Sequence, residues 1–265
     1  MKRNIWILAP ALLAIMVFLA CKKQYTLVAQ GETAGSSAFL KIVHASPNFD
    51  SIFHTGFDSL NVYFGQDKIT ATALTYGTGF PTPTSTIYTL TYVTVPSGAQ
   101  DIRISLAGTG TKDSSTVVTL HKVLNPGAYY TLVITDSINS TRDSNRIWLQ
   151  DNFPRPGAGP GYFYLRFMNA VQDARTDTVD LFSVRRNQTL FKKVKVDSTT
   201  SFTNFATILN VADTLVVLRT GTGTVLAKMT TPNIQFGDQQ FYTAYYVGDT
   251  AAAVKKRILL INQNK

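Results

Sequence analysis

The sequence predicts an all-β protein: two tandem immunoglobulin-like antiparallel β-sandwich domains, carried behind a leader and a short tether. Three observations point there. Among 265 residues, 35 are Thr, and the acids divide as fifteen Asp with a single Glu, Glu32. Thr, Val, Tyr and Phe suit pleated sheets, whereas long helices draw on Glu, Lys, Ala and Leu. Short apolar segments alternate with Gly, Pro, Asn and Asp turns, and the same series of segments occurs twice.

The chain opens with Lys2 and Arg3, followed by an apolar run from Ile5 to Ala20 that Pro10 interrupts. That run is shorter than the ~20 residues needed to span a bilayer and reads as a secretory signal over residues 1–20. It ends at Leu19-Ala20-Cys21, and Cys21 is the only cysteine. A small residue before a lone cysteine resembles the lipobox of bacterial lipoproteins. The resemblance implies cleavage before Cys21 and acylation of its sulfur and new amine, which would anchor the protein to a membrane. It also leaves no thiol for disulfides, metal or catalysis. Residues 21–37, polar and without sustained alternation, read as a tether. Surface export in Bacteroidetes resembles a rule that asks for acids just after the cysteine. Lys22-Lys23-Gln24 has none, so the expected location is an outer-membrane lipoprotein on the periplasmic face.

Residues 38–150 form the first predicted domain and 162–265 the second. Between them, residues 151–161 carry three Pro and three Gly, a composition that continues neither helix nor ladder. The repeat is legible in four blocks. Phe39-Leu40-Lys41-Ile42-Val43-His44-Ala45 parallels Tyr164-Leu165-Arg166-Phe167-Met168-Asn169-Ala170. Residues 92–111 align without gaps on 205–224, 124–134 on 234–246 after a small shift, and 146–150 on 257–261. Strand candidates in the first unit begin with the block at Phe39. They continue at Leu60–Phe64, Tyr88–Val95, Ile102–Leu106, Thr116–Leu120 and Ala128–Thr135. Turns at Gly65-Gln66-Asp67, Pro96-Ser97-Gly98 and Asn125-Pro126-Gly127 separate them. In the first strand Leu40, Ile42 and His44 share one face, and Phe39, Lys41 and Val43 the other.

The series Ile42-Val43-His44-Ala45-Ser46-Pro47, Leu60-Asn61-Val62-Tyr63, Val95-Pro96-Ser97-Gly98 and Pro126-Gly127-Ala128-Tyr129-Tyr130 resembles the domain of unknown function family 4397. That family comprises secreted or lipid-anchored bacterial proteins with β-sandwich units, often in tandem. The resemblance covers residues 38–136 well and 162–262 more weakly, since Asn169, Gln172 and Leu209 stand where the first unit has His44, Pro47 and Pro96. It implies a fold and an envelope location and brings no activity.

No catalytic constellation is present, and no enzyme activity or cofactor is expected. His44, Asp50 and His54 lie close in sequence, but their spacing fits no usual zinc pattern. His44 reads instead as a strand-end residue bonded to the turn below it. GTGTK at 108–112 reads as a hairpin rather than a phosphate loop. The chain lacks the Ser and Lys motifs of common hydrolases, and fifteen scattered Asp form no carboxylate pair. The formal charge of +9 suits anionic lipid or polysaccharide surfaces, or simply a solvated face, and nucleic acid is not expected outside the cytoplasm. The expected partners are the membrane, through the lipid on Cys21, and a polysaccharide or envelope protein. Tyr88, Tyr92, Tyr129, Tyr130, Phe241, Tyr242, Tyr245 and Tyr246 would stack on sugar rings if exposed; strand alternation makes half of them core.

Asp followed by Ser or Thr and then a mostly apolar residue occurs seven times, against about one or two expected from composition. The pattern resembles the O-glycosylation acceptor of exported Bacteroidetes proteins, with Ser51, Ser59, Ser137, Thr178, Ser198, Thr214 and Thr250 as acceptors. The other reading is that Asp-Ser and Asp-Thr pairs start turns that lead into strands.

Overall fold

In the computed structural model the described residues are 36–49, 59–81, 91–107, 116–135, 148–154, 157, 159–171, 178–208, 211–229, 234–248 and 256–263. Cys21, Ser51, Ser137, Thr250, His54, Tyr88 and the GTGTK segment lie outside them. The first half contributes β1 (Ser37–His44), β2 (Ser59–Phe64), β3 (Asp67–Lys68), β4 (Leu74–Thr75), β5 (Gly79–Phe80), β6 (Val93–Pro96), β7 (Gly98–Leu106), β8 (Thr116–Leu124), β9 (Tyr129–Ile134) and β10 (Trp148–Gln150). The second contributes β11 (Tyr162–Asn169), β12 (Val179–Ser183), β13 (Gln188–Val194), β14 (Ser198–Thr199), β15 (Thr203–Ala206), β16 (Leu215–Arg219), β17 (Val225–Lys228), β18 (Phe241–Val247) and β19 (Arg257–Asn262).

Each half is a sandwich of two sheets. In the first, an inner sheet of order β10-β9-β1-β5, with β6 also on β1, faces an outer sheet of order β3-β2-β7-β8, with β4 on β2. In the second, β14-β11-β18-β19, with β15 on β11, faces β13-β12-β16-β17. The halves repeat one another, except that β13 alone pairs along β12 where the two short strands β3 and β4 pair along β2. Both first strands pair one partner along their early residues and a second along their late ones: β6 and β5 on β1, β15 and β14 on β11. Both also pair in parallel along the other edge, β1 with β9 and β11 with β18. The inner sheets are therefore mixed, where purely antiparallel sheets were expected.

That parallel pairing has a consequence for burial. Sheets with parallel pairs are ordinarily covered on both faces, and both inner sheets are. Leu40, Ile42, Leu132 and Ile134 turn toward the outer sheet of the first half and meet Leu60, Val62, Ile102 and Ile104. Phe163, Leu165 and Phe167 do the same in the second half against Leu181, Leu215 and Val217. The opposite faces supply a third core: Val43, Ala45 and Val133 from the first half with Met168, Ala170, Tyr245 and Ile261 from the second. The order through the molecule is thus outer, inner, inner, outer, and residues 31–265 form one compact unit.

The register corrects two of the sequence alignments. Ala38 opposes Val95 and its counterpart Phe163 opposes Phe205, so β15 sits three residues earlier than the ungapped alignment places it. The ungapped match holds for β7 and β16, where Ile104 and Val217 occupy the same place opposite Val62 and Leu181. The extra residues lie in the longer β15–β16 connection. At the last strands the match is off by one: Leu149 opposes Thr131 as Ile261 opposes Thr243. A slip of one residue exchanges the faces of a strand, so Trp148 corresponds to Leu260 and both point into their own sandwich.

Candidate functional site

The joint between the two inner sheets is where the polar chemistry of the chain collects. Because β1 and β11 occupy equivalent places, their basic residues do too. Lys41 opposes Thr131 on β9, and Arg166 opposes Thr243 on β18. Both point away from their own sandwich and are buried, Lys41 at 0% and Arg166 at 4% exposure. Buried charges persist only when paired and hydrogen-bonded, and the residue just past each last strand provides the partner for the other half. Asp151, after β10, accepts from Arg166 Nη2. Gln263, after β19, accepts from Lys41 Nζ at 2.8 Å.

The arrangement is a pseudo-twofold one, in which each half offers the same patch to the other. Thr131 donates to Asp151 Oδ2 at 2.6 Å. In the other half, Gln263 Nε2 donates to Thr243 Oγ1 at 2.8 Å, and Arg166 Nε donates to the same oxygen at 2.8 Å. Each cation also lies over an aromatic ring at the matching place, Lys41 at 4.0 Å from the Tyr92 centroid and Arg166 at 4.7 Å from that of Phe202. Phe39 stacks on Tyr129 at 4.6 Å, and Tyr164 on Phe241 at 5.1 Å. Phe153, from the Pro- and Gly-rich segment, touches both members of two equivalent pairs: Tyr129 and Phe241 at 5.6 and 5.1 Å, Tyr92 and Phe202 at 6.4 and 5.6 Å. It sits on the pseudo-axis, and the segment that reads as a linker is part of the joint.

The electrostatics of the two ends differ. Burial pulls the Lys41 ammonium down to about 7, with Asp151 opposing that shift and Arg166 adding to it. Burial is the largest influence on Arg166 and works against its charge, but Asp151, Tyr245 and Tyr92 together outweigh it and the net shift is upward. Tyr92 is pushed well above the usual phenol range, first by burial and then by Asp151. Its hydroxyl donates to Asp151 Oδ2 at 2.8 Å, while its oxygen lies 2.9 Å from Gln263 Oε1. Burial likewise holds the Tyr245 phenol neutral.

At the Arg166 end, a cleft of about 370 Å³ opens between β10 and the turn after β14. Trp148, Gln150 and Asn152 line one side, Ser201 and Phe202 the other, with Arg166 between them. Trp148 stacks on Tyr130 at 5.2 Å, a contact that occupies one indole face.

The residues singled out from sequence fall as follows. Tyr130, Tyr242, Tyr245 and Tyr246 are buried, and Tyr92, Tyr129 and Phe241 are half-buried in the joint. These side chains form no exposed aromatic row: Tyr130, Tyr242 and Tyr246 belong to the cores of their own sandwiches, as alternation implies, and the others lie in the joint. His44 is fully buried, its Nδ1 3.4 Å from the Ser46 amide and its ring edge-on to Phe49. In the same place Asn169 Oδ1 accepts from the Val171 amide at 3.3 Å. Of the glycosylation-like acceptors, Ser59 and Ser198 begin strands and Thr178 and Thr214 immediately precede them. Ahead of Thr214, the buried Asp213 carboxylate accepts from Ser183 Oγ, the Arg185 amide and the Thr214 amide, the role the turn reading gives it. Among the described residues no group of three or more His, Cys, Asp and Glu side chains gathers to hold a metal. The Lys41–Gln263 and Arg166–Asp151 partnerships were not foreseen. The basic residue shared by the two repeats, flanked by apolar residues on its own face, was the available signal.

No protein-family model matches the chain, and no curated protein matches it. Among solved structures, the chain is similar to a candidate polysaccharide-binding protein (domain of unknown function 1812) from Bacteroides thetaiotaomicron, at 10% identity over 85% of this chain and 97% of that one, with a TM-score of 0.23. A candidate cell adhesion protein from Bacteroides uniformis gives 8% identity over 88% and 98%, with a TM-score of 0.20. The TIE protein of Bacillus anthracis gives 7% identity and a TM-score of 0.21; 81% of this chain is covered, which spans 34% of that protein. Superpositions this loose leave function to the residues of the chain itself.

Proposed function

We propose that this is a non-enzymatic, lipid-anchored envelope protein whose fused double sandwich serves as a rigid binding or adhesive body. The observation that carries the reading is the fate of the ionisable groups. Lys41, Tyr92 and Arg166, whose acid–base behaviour burial shifts, are spent together with Asp151 on joining the two inner sheets. Perturbed groups mark either catalytic sites or structural networks, and here each polar group answers another across the joint. Such a joint fixes the two sandwiches against each other, which suits a body that presents a surface at a distance from a membrane. The lipobox-like end at Cys21, the tether over 21–37 and the resemblance to domain family 4397 support the envelope location on the periplasmic face.

Two measurements test the proposal. Cys21→Ser should move the protein from the membrane fraction to the soluble one and abolish fatty-acid labelling. The wild-type protein should be retained on insoluble polysaccharide or on envelope preparations without altering them. Hydrolytic turnover of the retained material, or a Cys21→Ser variant that still labels with fatty acid, would overturn it.

A further inference from the structure

Among the described residues, the Arg166 cleft brings together a fixed cation, an aromatic side chain and several neutral polar groups. Its opening follows from a difference between the repeats. At the Lys41 end, the Tyr92 hydroxyl reaches Asp151 and lies against Gln263, closing the ring of contacts around the lysine. The equivalent residue at the other end is Phe202, which has no hydroxyl to offer. Arg166 therefore keeps one side toward a cleft while Lys41 is sealed.

We propose that this cleft is a saccharide site that takes a short, carboxylate-bearing sugar chain; the inference rests on, and narrows, the binding role proposed above. Four features support that chemistry. The cleft, at about 370 Å³, lies within the range of small-ligand sites, roughly 300–1,000 Å³. Trp148 lines the cleft and is held in place by stacking on Tyr130, so the part of its indole at the cleft wall gives an apolar aromatic surface for a sugar ring. Gln150, Asn152 and Ser201 are exposed at the rim and carry the amide and hydroxyl groups that read sugar hydroxyls. Arg166 is held by Asp151 and Thr243, so its position costs a ligand little ordering. The acidic preference follows from Arg166, the one charged side chain that lines the cleft: an anion entering beside its guanidinium is favoured, whereas a cation is repelled.

Trp148 reports on the cleft directly. The chain has two tryptophans, Trp6 and Trp148, so a full chain carrying Trp6→Phe fluoresces from the cleft alone. Titration with digalacturonic acid should give a saturable change in that fluorescence. The neutral disaccharide with the acids reduced to alcohols should bind at least about tenfold more weakly. Ser201→Phe, which fills the mouth, should abolish the response while leaving the melting temperature unchanged. Should that variant fold poorly, Gln150→Ala with Asn152→Ala, both at exposed positions, should weaken binding by about tenfold. No saturable change, equal affinity for the neutral disaccharide, the same response to acetate alone, or full binding by the folded blocked variants would overturn the inference. Retention on polysaccharide that survives Ser201→Phe would sink the cleft and leave the wider binding role standing.

Discussion

The two ends of the inter-sheet joint occupy equivalent places and solve the same problem differently. At one end Arg166 meets an acid, keeps its charge and forms a buried ion pair. At the other Lys41 meets the neutral amide of Gln263 and is drawn down to about 7. Arginine is costly to neutralise and needs a carboxylate when buried, whereas lysine gives up its proton when desolvated. A repeated basic position is thus tolerated in two ways: by pairing, or by a charge that can be lost.

The largest effect should come from separating the ends. Residues 36–154 and 157–265 each carry a core of their own, so each should give a β-rich spectrum and a cooperative unfolding transition. Each would also expose the face that Val43, Val133, Met168, Tyr245 and Ile261 now bury. Both halves should therefore unfold at lower denaturant than the whole and should associate when mixed, as measured by ultracentrifugation. Halves that stay monomeric and unfold at the same midpoint as the intact chain would remove the joint as a stabilising element.

Next in size is the ion pair. Asp151→Asn leaves Arg166 buried without its counter-charge, and breaking a buried pair from one side costs about 3–5 kcal/mol. Gln263→Ala removes only a neutral acceptor from a lysine that can shed its proton, and should cost about 1–3 kcal/mol. Equal losses in urea unfolding would deny the asymmetry.

The third test uses pH. Lys41, buried beside Asp151 and Arg166 and over the Tyr92 ring, has a folded value of about 7, while the unfolded chain restores the ordinary value near 10.5. Between those limits the unfolded state binds more protons, so stability should rise with pH from about 7 to about 10.5, by no more than about 5 kcal/mol. Below about 7 both states are protonated and this contribution is flat. Lys41→Met should remove the slope, and a wild-type slope that persists in the variant would assign it elsewhere.

The smallest effect is expected at His44. Replacing it with the Asn of the second repeat keeps an acceptor for the Ser46 amide. His44→Asn should change unfolding stability by about 1 kcal/mol or less, read from the denaturation midpoint, with no loss of retention on polysaccharide. Any bound metal released by the substitution would contradict the structural role.

Much of the fold was legible in the residues. The strand predicted from Leu60 begins one residue earlier, at Ser59, and the glycines of the predicted turns, Gly65, Gly98 and Gly127, all take the left-handed backbone that such turns require. The repeat was visible in Phe39–Ala45 and Tyr164–Ala170, because duplicated strands keep their pattern of large, basic and small positions. The candidate site was less legible. Alternation places Lys41 only on the strand face opposite Leu40 and Ile42, and Asp151 reads as the first residue of a linker. The near-continuous apolar run around Lys41 was the hint of double burial, but a run cannot say what covers its second face.

The sequence by itself determined the strands, their turns, the twofold repetition and the fate of His44, because each depends on neighbours a few residues away or on alternation within one strand. Only the tertiary structure decided that the two sandwiches share a third core, that the aromatic residues alternation leaves outside the sandwiches lie in the joint, and that Lys41 and Arg166 find partners beyond the last strand of the opposite half. Those outcomes depend on which sheet faces stack. Stacking is fixed by shape and charge matched across residues more than two hundred positions apart, as between Lys41 and Gln263, and no local pattern encodes that match.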